Sequence, residues 1–495
     1  MITLTLLASC ASQAFTGSQA CESCHATEFS NWQGSHHDLA MQLPTAATVL
    51  GDFEDASFSY NGVTTRFFRK GDKFIVNTDG ENGEPQDFEV AYVFGVYPLQ
   101  QYLLPLSRGR LQALSIAWDS RPEAEGGQRW YHLYPEEKID YRDPLHWTGP
   151  YQNWNTRCAE CHSTDVQKNY NATDRVFATS FEEIDVGCEA CHGPGEKHLQ
   201  LAQGKKLGKG ADSGFDTELG QRGSWHFPEG ADIARRQAPL ESRAQVDSCG
   251  RCHARRGPLG DYHYGADLLD THRLSMPQSP LYYHDGQILD EVYVYGSFLQ
   301  SKMHQAGVVC SNCHEPHSAE LRAPGNGVCA QCHKPDTYDQ PQHHHHPSGS
   351  AGASCANCHM PETTYMVVDP RRDHSMRIPR PDLSLVMGTP NACNQCHSDQ
   401  DARWALDALR EWGIRFRDTG TDFSRALMAL DQGDIRAVPA VAQLANDPNA
   451  APIWRATAME ALGQVGGRDA MQTMSALLYD DDSIIRTSTV RSLDF

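Results

Sequence analysis

Sixteen of the 17 cysteines in this 495-residue chain fall into eight copies of one pattern, Cys-x-x-Cys-His. The copies occupy residues 21–25, 158–162, 188–192, 249–253, 310–314, 329–333, 355–359 and 393–397, referred to below as sites 1 to 8. At this spacing two thiols form thioethers to the vinyl groups of haem c, and the following imidazole ligates the iron. The thioether pairs are Cys21 and Cys24, Cys158 and Cys161, Cys188 and Cys191, Cys249 and Cys252, Cys310 and Cys313, Cys329 and Cys332, Cys355 and Cys358, and Cys393 and Cys396. The proximal ligands are His25, His162, His192, His253, His314, His333, His359 and His397. Zinc sites reuse the Cys-x-x-Cys pair but need no histidine directly after it, and disulfides need none. Composition alone predicts far fewer than one such match. Eight haem c groups are therefore expected.

Each iron needs a sixth ligand. Of the 24 histidines, the sixteen outside the motifs outnumber the eight required for bis-histidine ligation throughout. Methionine in that place would raise the reduction potential, and Met360, directly after a proximal histidine, cannot reach the same iron. Mostly or wholly bis-histidine, low-potential haems are expected. The distal candidates are His37 (ahead of His36), His146, His198, His272, His304, His317, His346 and His374. His317 lies three residues past His314, too close to fold over its own iron, so a neighbouring haem is its expected target. One or two members of the run His343, His344, His345 and His346 are expected to be distal ligands.

Positioning these groups falls to unusually little polypeptide. Residues 158–397 hold seven motifs, about 34 residues each, too few to enclose every macrocycle in a helical pocket. The haems must pack on one another and replace the core, so this region is expected to be unfolded without them. The fold expected is a mainly α multihaem cytochrome with little regular structure around packed haems, a small β insertion near the N-terminus and a C-terminal α-helical repeat segment. The expected segments are a signal or lipobox stretch (1–14), an N-terminal haem segment (15–49), the β-rich insertion (50–135), the multihaem core (136–400) and HEAT-like repeats (401–495). Asn61-Gly62 between two β-rich runs predicts a hairpin. The aromatic run from Tyr97 through Trp118 to Tyr134 predicts packing against a macrocycle or a core. Short apolar-faced helices after residue 400 recur at the offset of HEAT-type pairs, whose usual role is protein docking.

The formal charge is −21. Nucleic acid is disfavoured as a partner, since phosphate binding needs a basic surface. A basic redox protein is the natural counterpart, although an acidic surface also serves solubility alone. Oligomers or filaments are compatible with the sequence. Haem c attachment implies export to the periplasm or outer cell surface. Leu7-Ala8-Ser9-Cys10 resembles a bacterial lipobox, which would lipidate Cys10 and hold the protein on a membrane surface. The alternative is an ordinary signal peptide ending near Ala14.

Several stretches resemble bacterial octahaem cytochromes with C-terminal TPR or HEAT repeats. These are residues 32–41, Asp143-Pro144-Leu145-His146-Trp147, Gln300-Ser301-Lys302-Met303, the segment from Cys310 to His317, and Cys355 to Pro361 followed by residues 374–384. That group is similar in turn to the superfamily of pentahaem cytochrome c nitrite reductase, hydroxylamine oxidoreductase and octahaem tetrathionate reductase. The resemblance implies that the Cys-x-x-Cys-His-Met-Pro segment and the later His374 form a ligand pair as in nitrite reductase. It departs in one respect: nitrite reductase uses lysine as proximal ligand at its active haem, and every motif here ends in histidine. No catalytic residue can be read. The function expected is electron transfer through closely packed haems. The alternative is a reductase of a small nitrogen or sulfur oxyanion with one open haem, protons coming from Arg371, Arg372, His304 or Tyr365.

Overall fold

The computed structural model describes residues 14–208, 212–416 and 423–493. Cys10 lies outside them. The chain forms two compact units, one from Met1–Leu219 with Pro316–Glu320 and Met366–Asp369, the other from Gly220–Glu315, Leu321–Tyr365 and Pro370–Phe495.

The first unit is rich in strand. β1 (Met41–Gln42) is followed by β2 (Ala56–Tyr60), β3 (Val63–Lys70), β4 (Lys73–Asp79) and β5 (Pro85–Glu89), and these last four form an antiparallel meander. Asn61 and Gly62 both take positive φ, 46° and 83°, the geometry that lets a two-residue turn follow the strand twist. β6 (Tyr92–Phe94), β7 (Leu99–Leu106), β8 (Arg110–Ala113), β9 (Ile116–Asp119) and β10 (Arg129–His132) join β1 in a second antiparallel sheet. Alternation on β3 buries Thr65 and Phe67 while Thr64 and Arg66 face out. The aromatic run fills a core of this unit. Phe67 stacks on Trp130 at 3.6 Å, and Phe53 meets Phe67 and Phe74 edge-on.

The expectation of a mainly α chain is corrected by this structure, which is 35% helix and 18% strand with several small antiparallel sheets. Two physical reasons account for it. The β-rich region is a large part of its unit rather than a small insertion, and further two-stranded ribbons occur at Tyr170–Asn171 with Val176–Phe177, Arg256–Pro258 with His272–Leu274, and Glu362–Tyr365 with Asp369–Arg372. Most helices around the motifs are single turns such as Cys188–His192 and Cys355–His359, which add little helix per residue.

The second unit ends in longer helices: Ala402–Glu411, Ser424–Asp431, Val438–Asn446, Pro452–Val465, Arg468–Leu477 and Ser483–Ser492. Leu444, Ile453, Met459, Leu462, Met474 and Ile485 close their shared core. That core is continuous with Val246, Tyr295, Phe298 and Val309 from the motif-bearing part of the same unit. Arg455 ties adjacent helix pairs, its guanidinium donating to Asp480 at 2.6 Å and to the Ala445 carbonyl at 3.0 Å. Among the described residues no helix is long and apolar enough to cross a membrane.

Candidate haem-binding sites

Each motif is built on a helical turn, where positions i and i+3 share a face. The two cysteines of a motif would therefore hold one haem c through thioethers, and the histidine that follows would ligate its iron.

Among the described residues, five of the proximal imidazoles face a second imidazole. The ring centres of His25 and His198 are 6.1 Å apart, and those of His192 and His317 are 6.5 Å apart at 8°. In the second unit His314 faces His374 at 6.4 Å, His359 faces His343 at 6.2 Å and His397 faces His346 at 6.2 Å. An iron between two imidazole nitrogens, at about 2 Å from each and with each ring centre about 1 Å further out, requires a spacing of about 6 Å. The side chains thus leave room for one metal atom between each pair. This fits haem c.

The other ring nitrogen is also disposed for ligation. Nδ1 of His198 lies 2.6 Å from the Ser213 carbonyl, that of His359 2.9 Å from the Arg377 carbonyl, and that of His374 2.9 Å from the Arg372 carbonyl. Nδ1 of His346 lies 2.5 Å from the His344 carbonyl, and that of His162 3.0 Å from the Ala40 carbonyl. A backbone acceptor at Nδ1 fixes the tautomer whose Nε2 lone pair faces the metal. Burial lowers His162 and His374 below the ordinary imidazole value and brings His192 to about 4, which favours the neutral, ligating form of those three rings.

The remaining candidates sit as follows. His37 is half-buried while His36 is exposed, and burial lowers its pKa. His146 has both nitrogens engaged, Nε2 at 3.3 Å from Asp79 and Nδ1 at 2.8 Å from the Thr148 hydroxyl. His272 is buried with Nδ1 at 2.9 Å from the Thr271 hydroxyl. His304 packs on Phe298, and its Nδ1 is buried without a hydrogen-bond partner. The imidazole of His162 lies edge-on to Phe94 and that of His333 edge-on to Tyr338. His374 faces His314 rather than His359, because His343 already stands opposite His359. Of the four-histidine run, His343 and His346 are the two that face proximal rings. Sequence reading did not single out His343, because adjacent histidines carry no signal separating one from another. Of the proposed proton donors, Arg371 is paired with Glu291 at 2.6 Å and Arg372 with Glu362 at 2.8 Å.

Neighbouring motifs touch. In the first unit the Cys188 amide donates to the Ser18 hydroxyl at 2.9 Å, joining site 3 to the segment that leads into site 1. In the second unit the Ser311 amide donates to the Gln245 side chain at 3.1 Å, joining sites 4 and 5. Gln331 donates to the Asn312 carbonyl at 3.2 Å (sites 5 and 6), and the Cys355 amide donates to the Asn326 side chain at 2.9 Å (sites 6 and 7). Helix Cys355–His359 packs on helix Ala392–Cys396, joining sites 7 and 8.

Comparison with known proteins agrees with this chemistry. Residues 20–51 and 127–193 match the family of cytochrome c554 and c-prime, residues 304–338 match the doubled CXXCH motif, and residues 423–494 match HEAT repeats. No curated protein matches the chain. The structure of the outer cell wall cytochrome OcwA shares its fold, with a TM-score of 0.51 at 17% identity, covering 97% of this chain and 99% of that one. An undecaheme cytochrome from the S-layer of Carboxydothermus ferrireducens aligns over 97% of this chain and 68% of its own at a TM-score of 0.37 and 17% identity. The chain is a multihaem c-type cytochrome carrying HEAT repeats.

Proposed function

We propose that the chain binds eight haem c groups, mostly with two histidine ligands each, and passes electrons between redox partners outside the cytoplasm. The observation that carries this reading is the five imidazole pairs at 6.1–6.5 Å, each joining a motif histidine to a distant one. Haem c bound there supplies an iron that cycles between ferric and ferrous states. The protein contributes spacing, ligand orientation and burial, which tune potential. Touching motifs keep successive carriers close. The ligands assigned are His198 for site 1, His317 for site 3, His374 for site 5, His343 for site 7 and His346 for site 8.

Export is supported by the chemistry of haem c attachment and by the shared fold with a cytochrome of the outer cell wall. The net charge of −21 favours a basic partner. The relation to the nitrite reductase and hydroxylamine oxidoreductase superfamily belongs to this reading too, and rests on the sequence resemblance around Cys355 and His374, although His374 stands opposite His314 rather than His359.

Intact-mass measurement of protein matured in a haem c-attaching host tests the proposal. Eight added haems with predominantly low-spin EPR signals are expected. Fewer than eight, or a protein that cannot be reduced and reoxidised reversibly, would overturn it.

A further inference from the structure

In the second unit the five motifs touch in chain order, 4 to 5 to 6 to 7 to 8. Site 8 is therefore the last member of the row. The site is bracketed by two indoles. Trp404 lies 4.8 Å from the His397 ring, and Trp412 stacks on His345 at 4.1 Å and meets His346 edge-on. Trp404 remains 38% exposed, so one side of it touches a proximal ligand and the other meets solvent.

The surroundings of that indole are those of a protein-binding face. Helix Pro381–Met387, packed beside helix Ala402–Glu411, leaves Leu385 and Val386 exposed. Asp399 and Asp401, immediately before helix Ala402–Glu411, are exposed, and so is Arg403 beside Trp404. An aromatic and aliphatic centre with a charged rim is the usual anatomy of a specific transient interface. Exposed carboxylates on a chain of net charge −21 favour a basic partner and speed its encounter.

We infer that the face around Trp404, with Asp399 and Asp401 at its rim, is the docking surface for a basic one-electron redox protein at site 8. This rests on the electron-transfer reading above and names where the partner binds.

The test uses haem-loaded protein and a lysine-rich monohaem cytochrome c whose iron is replaced by zinc, so that binding is read without electron transfer. Carbodiimide crosslinks mapped by mass spectrometry are expected at Asp399 or Asp401. Affinity should fall about tenfold in Trp404→Ala and about threefold at low salt in Asp399→Lys. Trp404→Phe should recover most of the affinity, and Glu84→Lys, on the β-rich region, should leave it unchanged. Haem content and the low-spin spectrum confirm that each variant is intact. Crosslinks confined to other acids, or equal affinity in wild type and in Asp399→Lys, would overturn the docking surface. Failure to load haem would instead overturn the function itself.

Discussion

The Glu189 carboxylate holds the amide of Gly17, 172 residues away in sequence, at 2.7 Å. The same buried carboxylate accepts from the Thr16 amide at 2.9 Å and the Gly195 amide at 2.6 Å. Glu189 lies between the two cysteines of site 3, so it clamps the segment leading into site 1 against the motif of site 3.

Glu189→Gln keeps the size but offers one acceptor oxygen where two are used. At least one buried amide loses its partner, at a cost of about 1–3 kcal/mol. Thermal unfolding of the haem-loaded variant should begin at lower temperature, with the haem of site 1 perturbed first in its visible spectrum. An unchanged melting curve would show that the clamp is dispensable.

His374 offers a direct test of ligand assignment, since it faces His314 at 6.4 Å with its Nδ1 fixed on the Arg372 carbonyl. Methionine there should shift a single haem to higher potential in a redox titration. Alanine should convert a single haem to high spin. Spectra and potentials identical to wild type would remove His374 from the ligand set.

The motifs were legible because thioether attachment is local: five consecutive residues carry all of it. The distal ligands were only partly legible. Their pairings join Cys-x-x-Cys-His segments to histidines such as His198, His317 and His374, and such closures depend on how loops return, which no local pattern records. His146 illustrates the difficulty. Its type and its neighbour Trp147 invite a ligand reading, and only the structure shows Asp79 on β4 at 3.3 Å from Nε2 and Thr148 at 2.8 Å from Nδ1. The mainly α expectation fails because the stretch read as a small β insertion supplies all but one strand of two antiparallel sheets, of four and six strands, in its unit. The short ribbons between the motifs have too few alternating positions to announce a strand.

Glu460 gives the helical repeats a pH dependence. Burial pushes its carboxyl above the ordinary carboxylate value, against the opposing pull of Arg491 at 2.7 Å and hydrogen bonds from Ser488 and Gln278. A folded-state pKa above the unfolded one means the folded state binds its proton more tightly. This group's contribution to stability is therefore full below about pH 4.5 and lost as pH rises through the elevated value. Urea midpoints of the wild type should decline over that window more steeply than those of Glu460→Gln, other groups being equal. Parallel profiles would exclude Glu460 as the source.

The helical repeats share one apolar core with the motif-bearing part of their unit: Met459 and Ile453 belong to the same cluster as Val246 and Tyr295. Val246 lies on helix Ala244–His253, which carries site 4. Ser483 donates to Asp267 at 2.6 Å, adding a polar tie between the two parts. A repeat array that merely trailed from the cytochrome would melt by itself and leave the haems undisturbed. With a common core the two should unfold together. Met459→Ala removes a fully buried side chain at a cost of about 2–5 kcal/mol. It should lower the transition seen in far-ultraviolet circular dichroism and the transition seen at the haem Soret band by the same amount. Two transitions that separate in the variant, with the Soret signal unmoved, would show that the repeats are energetically independent of site 4.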